Sequence, residues 1–367
     1  MNRTTARVTP WSAFLVGLIV APLTAFLFVE AIDLGASVSG WGYVVGACFV
    51  SAGLLSKPWR QRRGLTRLGL ALMLLVACGR LIFATGSGLD TVSLPGQGQR
   101  LVNRLVAERD GTLVAARLLL FTGRFRPSES RDLIAALQGA FDRLDDSEGA
   151  FATPAIATWV GLQSPESFDA VIIPPQAGKD TDVAFVSLHG FTGNFAVYCW
   201  QLSRAARAIS ALTVCPSVGP AGDWWSQQGA ETLDRTLAWL EHRGIRRVYL
   251  SGLSNGGVGA SVLAERVSRS GLKLEGLVLV SGADSRAAPP RVPVLLVQGK
   301  RDTMMPARIM RDYAQKAGPL ATYFEVDSGH FALLDRYEEC EQAIASWLRE
   351  QEQGARPSLR AGRGAAP

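Results

Sequence analysis

Residues 248–257 read Val248-Tyr249-Leu250-Ser251-Gly252-Leu253-Ser254-Asn255-Gly256-Gly257. An apolar, strand-like run gives way to a serine flanked by glycines. Val248–Ser251 has the composition of a buried strand, and a helix is expected from Asn255 to about Ser268. G-x-S-x-G between a strand and a helix is the context of a nucleophile elbow. The chemistry needs those glycines, because residues without a Cβ let the chain make a tight, strained turn from strand into helix. Such a turn lifts the Ser254 hydroxyl above the sheet edge and aims the helix amides at the same point. The pentapeptide alone recurs by chance in Gly/Ser-rich sequence; the strand before it and the helix after it set it apart from a plain turn.

Working outward, Val183–Leu188, Leu212–Cys215, Leu277–Val280, Val294–Val297 and Thr322–Val326 are short apolar runs of the same kind. Helical segments at Ala196–Ile209, Glu231–His242, Ala307–Lys316 and Glu338–Glu350 alternate with them. That alternation predicts a mostly parallel sheet covered by helices on both faces. Ala157–Leu162 and Ala170–Ile173 read as a β-hairpin. Two strands lead directly into reactive side chains: Val294–Val297 into Asp302, and Thr322–Val326 into Gly329-His330. The chain has only three histidines, and His242 suits the C-terminal end of a helix. The order Ser254, Asp302, His330, each following a strand, points to a triad rather than to isolated structural residues. Asp327 is too near His330 in sequence for the usual separate-loop geometry, which leaves Asp284 as the better rival acid.

Over roughly residues 155–350 the chain resembles the α/β-hydrolase superfamily. The matching features are the His189-Gly190-Phe191 turn after the first long parallel strand, the elbow at Ser254, Asp302, and Gly329-His330. They are specific for the superfamily and weak for any subfamily. The resemblance implies an α/β-hydrolase fold and a serine hydrolase. In it Ser254 is the nucleophile, His330 the general base and Asp302 the acid that fixes the imidazole tautomer. It also implies an oxyanion hole built from the amides of Phe191 and Asn255, with His189 structural. Trp224 and Trp225, after the strand ending at Cys215, are candidates for the floor of an apolar substrate pocket, with buried packing the even alternative. Met304, beside Asp302, carries the same ambiguity. The short gap between Leu277–Val280 and Val294 leaves no room for the family's long lid.

The N-terminal quarter is of another kind. The 367 residues are 48% hydrophobic and 19% charged, with a mean hydropathy of +0.15, against about 25% charge in a soluble domain. Three apolar stretches, Trp11–Val29, Gly40–Leu55 and Leu65–Ala84, approach the roughly 20 residues a membrane helix needs. The first lacks a small-x-small cleavage site and precedes two more spans, so a retained helix is expected rather than a cleaved signal peptide. Gly42 and Gly46 have the G-x-x-x-G spacing of close helix packing, within the chain or between copies. Arg3 and Arg7 precede the first span, and Lys57, Arg60, Arg62, Arg63 and Arg67 lie between the second and third. By the positive-inside rule both segments stay cytoplasmic and the hydrolase domain faces outward. The net charge of +6 thus reads as a topology signal, with the lipid bilayer as partner and no nucleic acid. Arginine-dominated basic usage fits a GC-rich bacterial genome, hence a multi-pass protein of a bacterial inner membrane with a periplasmic domain.

The expected division is 1–90 membrane region, 91–152 partly helical connector, 153–352 hydrolase domain and 353–367 disordered tail. In the connector a helix is expected at about Ser130–Leu144, and Leu113–Phe121 is either a strand or a buried helix. Cys199 and Cys215 are close enough in the expected topology to pair, though spacing alone cannot decide it. No zinc spacing, phosphate loop or dinucleotide motif occurs, so no cofactor and no metal is expected. The leading reading is a membrane-anchored hydrolase of a small-molecule carboxylic ester or acyl substrate. The rivals are a prolyl-oligopeptidase-like peptidase, which lacks its usual β-propeller here, and a non-catalytic binding or scaffold protein on the same fold.

Overall fold

The computed structural model describes residues 10–58, 63–85, 89–96, 98–123, 126–127, 131–149, 151–175, 180–193 and 195–355. Arg3, Arg7, Arg60, Arg62 and most of the expected tail lie outside the described residues. The apolar runs become the strands β3 (Val183–Leu188), β4 (Leu212–Pro216), β5 (Arg247–Leu253), β6 (Lys273–Val280), β7 (Val294–Gly299) and β8 (Ala321–Val326). All six run parallel. Val183–Leu188 and Val294–Gly299 are buried at every position, as strands covered on both faces must be. Among the described residues eight strands form one sheet in the order β1-β2-β4-β3-β5-β6-β7-β8. The first two, β1 (Asp90–Leu94) and β2 (Phe168–Ile173), are an antiparallel pair, and β2 is antiparallel to β4.

The expected hairpin does not form. Val171 is matched with Thr91 on one side and Cys215 on the other, so β2 has no free edge for residues 157–162. Those residues instead begin in a short helix, Ala155–Trp159. Leu113–Phe121 resolves as the end of a helix, Glu108–Phe121. The segment between the three N-terminal apolar helices and the hydrolase core thus supplies the sheet's edge strand as well as helices.

Asp169 ties that edge in place. Its carboxylate, fully buried, accepts from Arg100 Nε (3.1 Å), Ser93 Oγ (2.6 Å) and Asn103 Nδ2 (2.9 Å). A buried carboxylate is tolerated only with this kind of saturation.

Two apolar layers sandwich the sheet. One packs under α7 (Phe195–Ala206) and α12 (Tyr337–Ala355), and is extended by α4 (Glu108–Phe121) and α5 (Leu133–Glu148). The other packs under α8 (Gln227–His242), α9 (Asn255–Arg269) and α10 (Ala307–Ala317). A disulfide joins Cys199 of α7 to Cys215 of β4, resolving the pairing the spacing left open.

Three N-terminal helices are long and apolar enough to cross a membrane: α1 (Pro10–Asp33), α2 (Val38–Leu55) and most of α3 (Arg63–Phe83). The second packs on the third through its small residues. Gly42 sits over Val76, and a Cβ on Gly69 would lie 2.4 Å from the Gly46 carbonyl oxygen. The G-x-x-x-G spacing is therefore used inside the chain.

Polar bonds join this bundle to the hydrolase part. Asp110 of α4 accepts from the Ser37 amide (2.9 Å) and hydroxyl (2.6 Å), at the N-terminus of α2 where negative charge is favoured. Arg80 reaches the Arg104 carbonyl at 2.7 Å, Tyr43 Oη the Leu105 carbonyl at 2.7 Å, and Gln138 the Leu34 carbonyl at 3.0 Å.

Replacing Asp169 by Ala leaves Arg100 Nε and Asn103 Nδ2 without their acceptor. A loss of about 3 kcal/mol is expected, read as a lowered unfolding midpoint of the detergent-solubilised chain; an unchanged midpoint would deny the edge strand this anchor.

Candidate active site

The elbow is a place where backbones touch. Ser254 has φ 53° and ψ −118°, a left-handed conformation that costs a non-glycine residue about 1–3 kcal/mol. Its neighbours make it possible. A Cβ on Gly252 would lie 2.0 Å from the Gly256 carbonyl oxygen, and one on Gly256 only 1.9 Å from that of Leu188. The Ser254 amide donates to the Val280 carbonyl at 2.9 Å, fixing the turn to β6.

Two other strand ends supply the partners. His330 Nε2 is 3.0 Å from Ser254 Oγ, and its Nδ1 is 2.9 Å from Asp302 Oδ2. Asp302 is itself held. Its Oδ1 accepts from the amides of Met304 (2.9 Å) and Met305 (2.8 Å), and its Oδ2 from Gln298 Nε2 (3.1 Å). A carboxylate saturated this way holds one orientation and presents Oδ2 to the imidazole. The rival acids are engaged elsewhere: Asp284 pairs with Arg286, and Asp327 with Arg301. Ser254, His330 and Asp302 thus form one hydrogen-bonded line.

The loop after β3 lies against the elbow, with the Gly190 Cα so near that a Cβ would meet the Leu253 carbonyl oxygen at 3.0 Å. Phe191 follows it, and Asn255 opens α9, where the first amides have no acceptor within the helix. Phe191 lines the same cavity as Ser254, and Asn255 is its neighbour in the chain.

His189 is buried below. It receives the Val218 amide on Nε2 (3.0 Å) and has Nδ1 2.7 Å from the Gly190 carbonyl. This pattern needs the neutral ring with its proton on Nδ1, and burial holds the imidazole down to about 4. Trp159 also fastens the loop, donating to the Thr192 carbonyl at 2.6 Å. It was missed in the sequence because 157–162 read as a strand.

The tryptophan pair lies elsewhere. Trp224 is fully buried in the layer under α8 and α9, pressed between Gly229 and Gly259, and donates to the His189 carbonyl at 2.9 Å. Trp225 is half-exposed and, like Trp224, does not line the cavity at Ser254. The loop after β4 folds beneath the elbow helix, so the expected floor of the pocket became its foundation. Met304 does line the cavity, with Phe191, Thr192, Tyr198 and Phe331. The rest of the wall is supplied from outside the sheet domain, by Thr112, Ala115, Ala116 and Leu119 of α4 and by Leu133 and Leu137 of α5. No long lid interrupts the short β6–β7 gap, as expected; the cavity's cover comes from the N-terminal side of the chain instead.

Glu108, the first residue of α4, accepts from the Ala196 amide at 3.0 Å, near the start of α7. Burial raises its carboxyl to about 7. Among the described residues no cluster of His, Cys, Asp or Glu has the makings of a metal site.

The strand order, the antiparallel second strand and the elbow after β5 define an α/β-hydrolase fold carrying three N-terminal apolar helices. No protein-family model and no curated protein matches the chain. Among solved structures it is similar to the esterase Est1E from Butyrivibrio proteoclasticus, at 13% identity and TM-score 0.43, covering 51% of this chain and 95% of that one. An alpha-beta serine hydrolase homologue from Coxiella burnetii is 19% identical with TM-score 0.42, covering 51% and 94%. A thermostable esterase from Pseudomonas putida ECU1011 is 15% identical with TM-score 0.44, covering 53% and 82%. At such identities the fold assignment rests on the strand order and the elbow themselves.

Two outcomes follow from this geometry. Gly256→Ala should abolish the elbow, leaving little folded protein, because the added carbon has no room against the Leu188 backbone. Glu108→Gln should gain stability over the parent as pH rises from 4.5 through 7. The parent's folded-state carboxyl is raised, so its contribution is complete at low pH and is lost as the group ionises. Full burial puts that difference at about 3 kcal/mol above pH 7; parallel melting curves of the two proteins across this range would refute it.

Proposed function

We propose that this chain is a membrane-anchored serine hydrolase that cleaves carboxylic esters through an acyl-enzyme on Ser254. The observation that carries the reading is the line from Ser254 Oγ through His330 to Asp302 at the mouth of an apolar cavity. Ser254 Oγ attacks the ester carbonyl carbon while His330 Nε2 takes its proton. Asp302 holds the ring and stabilises the imidazolium. The carbonyl oxygen, now negative, is received by the amides of Phe191 and Asn255, each worth about 2.7–4 kcal/mol in the transition state. Collapse breaks the carbon–oxygen bond, and His330 returns the proton to the leaving alcohol. Water then repeats the sequence on the acyl-enzyme, with His330 as base, and releases the acid and free Ser254.

Anchoring by the three apolar helices is part of the proposal, with the hydrolase part on the non-cytoplasmic side. The basic residues between α2 and α3 support that orientation, and so does a disulfide in the hydrolase part, since such bonds persist in oxidising compartments.

A fluorophosphonate probe should label the wild-type chain and leave Ser254→Ala unlabelled. Asp302→Asn should lower kcat on a p-nitrophenyl ester by about 10⁴-fold, by loss of the required tautomer. A folded wild type that resists the probe removes the serine-hydrolase reading. Greater turnover of aminoacyl amides than of esters would replace esterase with peptidase. Alkaline phosphatase fused after Pro367 should be active in a bacterial host; a well-expressed, inactive fusion places the domain in the cytoplasm.

A further inference from the structure

Helix α4 has two working faces. Thr112, Ala115, Ala116 and Leu119 look into the cavity at Ser254. Asp110, Val114, Arg117 and Phe121, at spacings of four, three and four, form the opposite stripe. Asp110 bonds to Ser37 at the start of α2, and Arg117 pairs with Glu30 near the end of α1 at 3.2 Å. Those attachments are seven residues apart, about 10 Å along a helix, so α4 lies flat across one end of the apolar bundle.

One turn beyond Arg117 the stripe continues to Phe121, which is 73% exposed, beside Leu118 at 49%. Ile32, in the last turn of α1 below, is 59% exposed. Leu118 and Phe121 lie within a turn of Arg117, whose partner Glu30 is near the end of a helix long and apolar enough to span a membrane, so the headgroup and acyl boundary of the bilayer is what covers them. The cavity lies one helix thickness, about 10 Å, above that boundary.

The chemistry of the wall agrees. Away from Ser254, Ala115, Ala116, Leu119, Leu133 and Leu137 make most of it apolar, with the hydroxyl-bearing Thr112 and Tyr198 among them, a lining that suits a hydrocarbon chain.

We infer that the substrate is a lipid ester drawn from the leaflet on which α4 rests. The part of its acyl chain next to the ester lies between α4 and α5, and its ester carbonyl is at Ser254. This rests on the serine-hydrolase reading above and adds the substrate class and its route. Leu137 limits the acyl group from within the cavity; Leu118 and Phe121, on the other side of α4, hold that helix on the lipid.

The test uses the full chain reconstituted into vesicles of diether phosphatidylcholine, which carries no acyl ester of its own. The substrates are 1-oleoylglycerol in the same vesicles and water-soluble p-nitrophenyl butyrate. The wild type should cleave both. Leu137→Trp fills the acyl space and should lower the oleoyl-to-butyryl ratio of kcat/KM at least 10-fold, the scale on which apolar pockets discriminate by size. The double variant Leu118→Asp, Phe121→Asp should raise the apparent KM for vesicle-borne 1-oleoylglycerol several-fold with little change in its kcat. A wild type that reacts with fluorophosphonate and hydrolyses butyrate but spares 1-oleoylglycerol overturns this inference and leaves the hydrolase intact. So does a Leu137→Trp protein with an unaltered ratio. A folded chain that neither labels nor turns over either ester overturns both.

Discussion

Everything at the site depends on how closely three backbone segments approach one another under Ser254. The Gly256 Cα sits against the Leu188 carbonyl, Gly252 against Gly256, and Gly282 beneath Ser254, where a Cβ would fall 2.1 Å from the serine carbonyl oxygen. Such contacts join the ends of β3, β5 and β6 into a single rigid rim. With the rim fixed, the strained serine has nowhere to relax, and the loops carrying His330, Asp302 and Phe191 are referenced to one frame. The strain is over-determined by packing.

The N-terminal apolar bundle reaches that frame through α4. Its first residue, Glu108, bonds near the start of α7, its Asp110 the start of α2, and its Arg117 the end of α1. Opposite Asp110 and Arg117 it walls the cavity. Bundle and hydrolase core are therefore coupled through α4, beside the bonds made by Arg80, Tyr43 and Gln138. Leu34, just after α1, is 2% exposed and belongs to the same apolar layer as α7 and α12.

The features legible in the sequence were those whose meaning is local. The elbow announces itself because its glycines are needed within five residues of one another. Asp302 and His330 sit just after strands that could be read from composition, and they come to lie beside Ser254. What stayed hidden depended on partners distant in sequence. β1 is an ordinary five-residue run until Phe168–Ile173 arrives to pair with it. The run at 157–162 has no period to separate helix from strand, and the saturation of β2 on both edges decided it. Trp224 was placed at the correct end of a strand but on the wrong side of the elbow helix, since nothing in a single tryptophan pair says whether a loop folds over or under. The gap between β6 and β7 is too short for a lid, and the cavity's cover comes from residues more than a hundred positions upstream of Ser254.

That last separation has an evolutionary meaning. The atoms proposed to break the bond reside in residues 254–330, and much of the cavity wall resides in residues 112–137. The two sets do not share a strand, and no core strand of the parallel sheet must change when α4 or α5 does. Mutation or recombination within one short exon-sized stretch can therefore retune what the cavity accepts, while purifying selection keeps the rim and its strained serine unaltered. Lineages carrying this architecture are expected to drift fastest along the inner face of α4, and slowest at Gly252, Gly256 and Gly282.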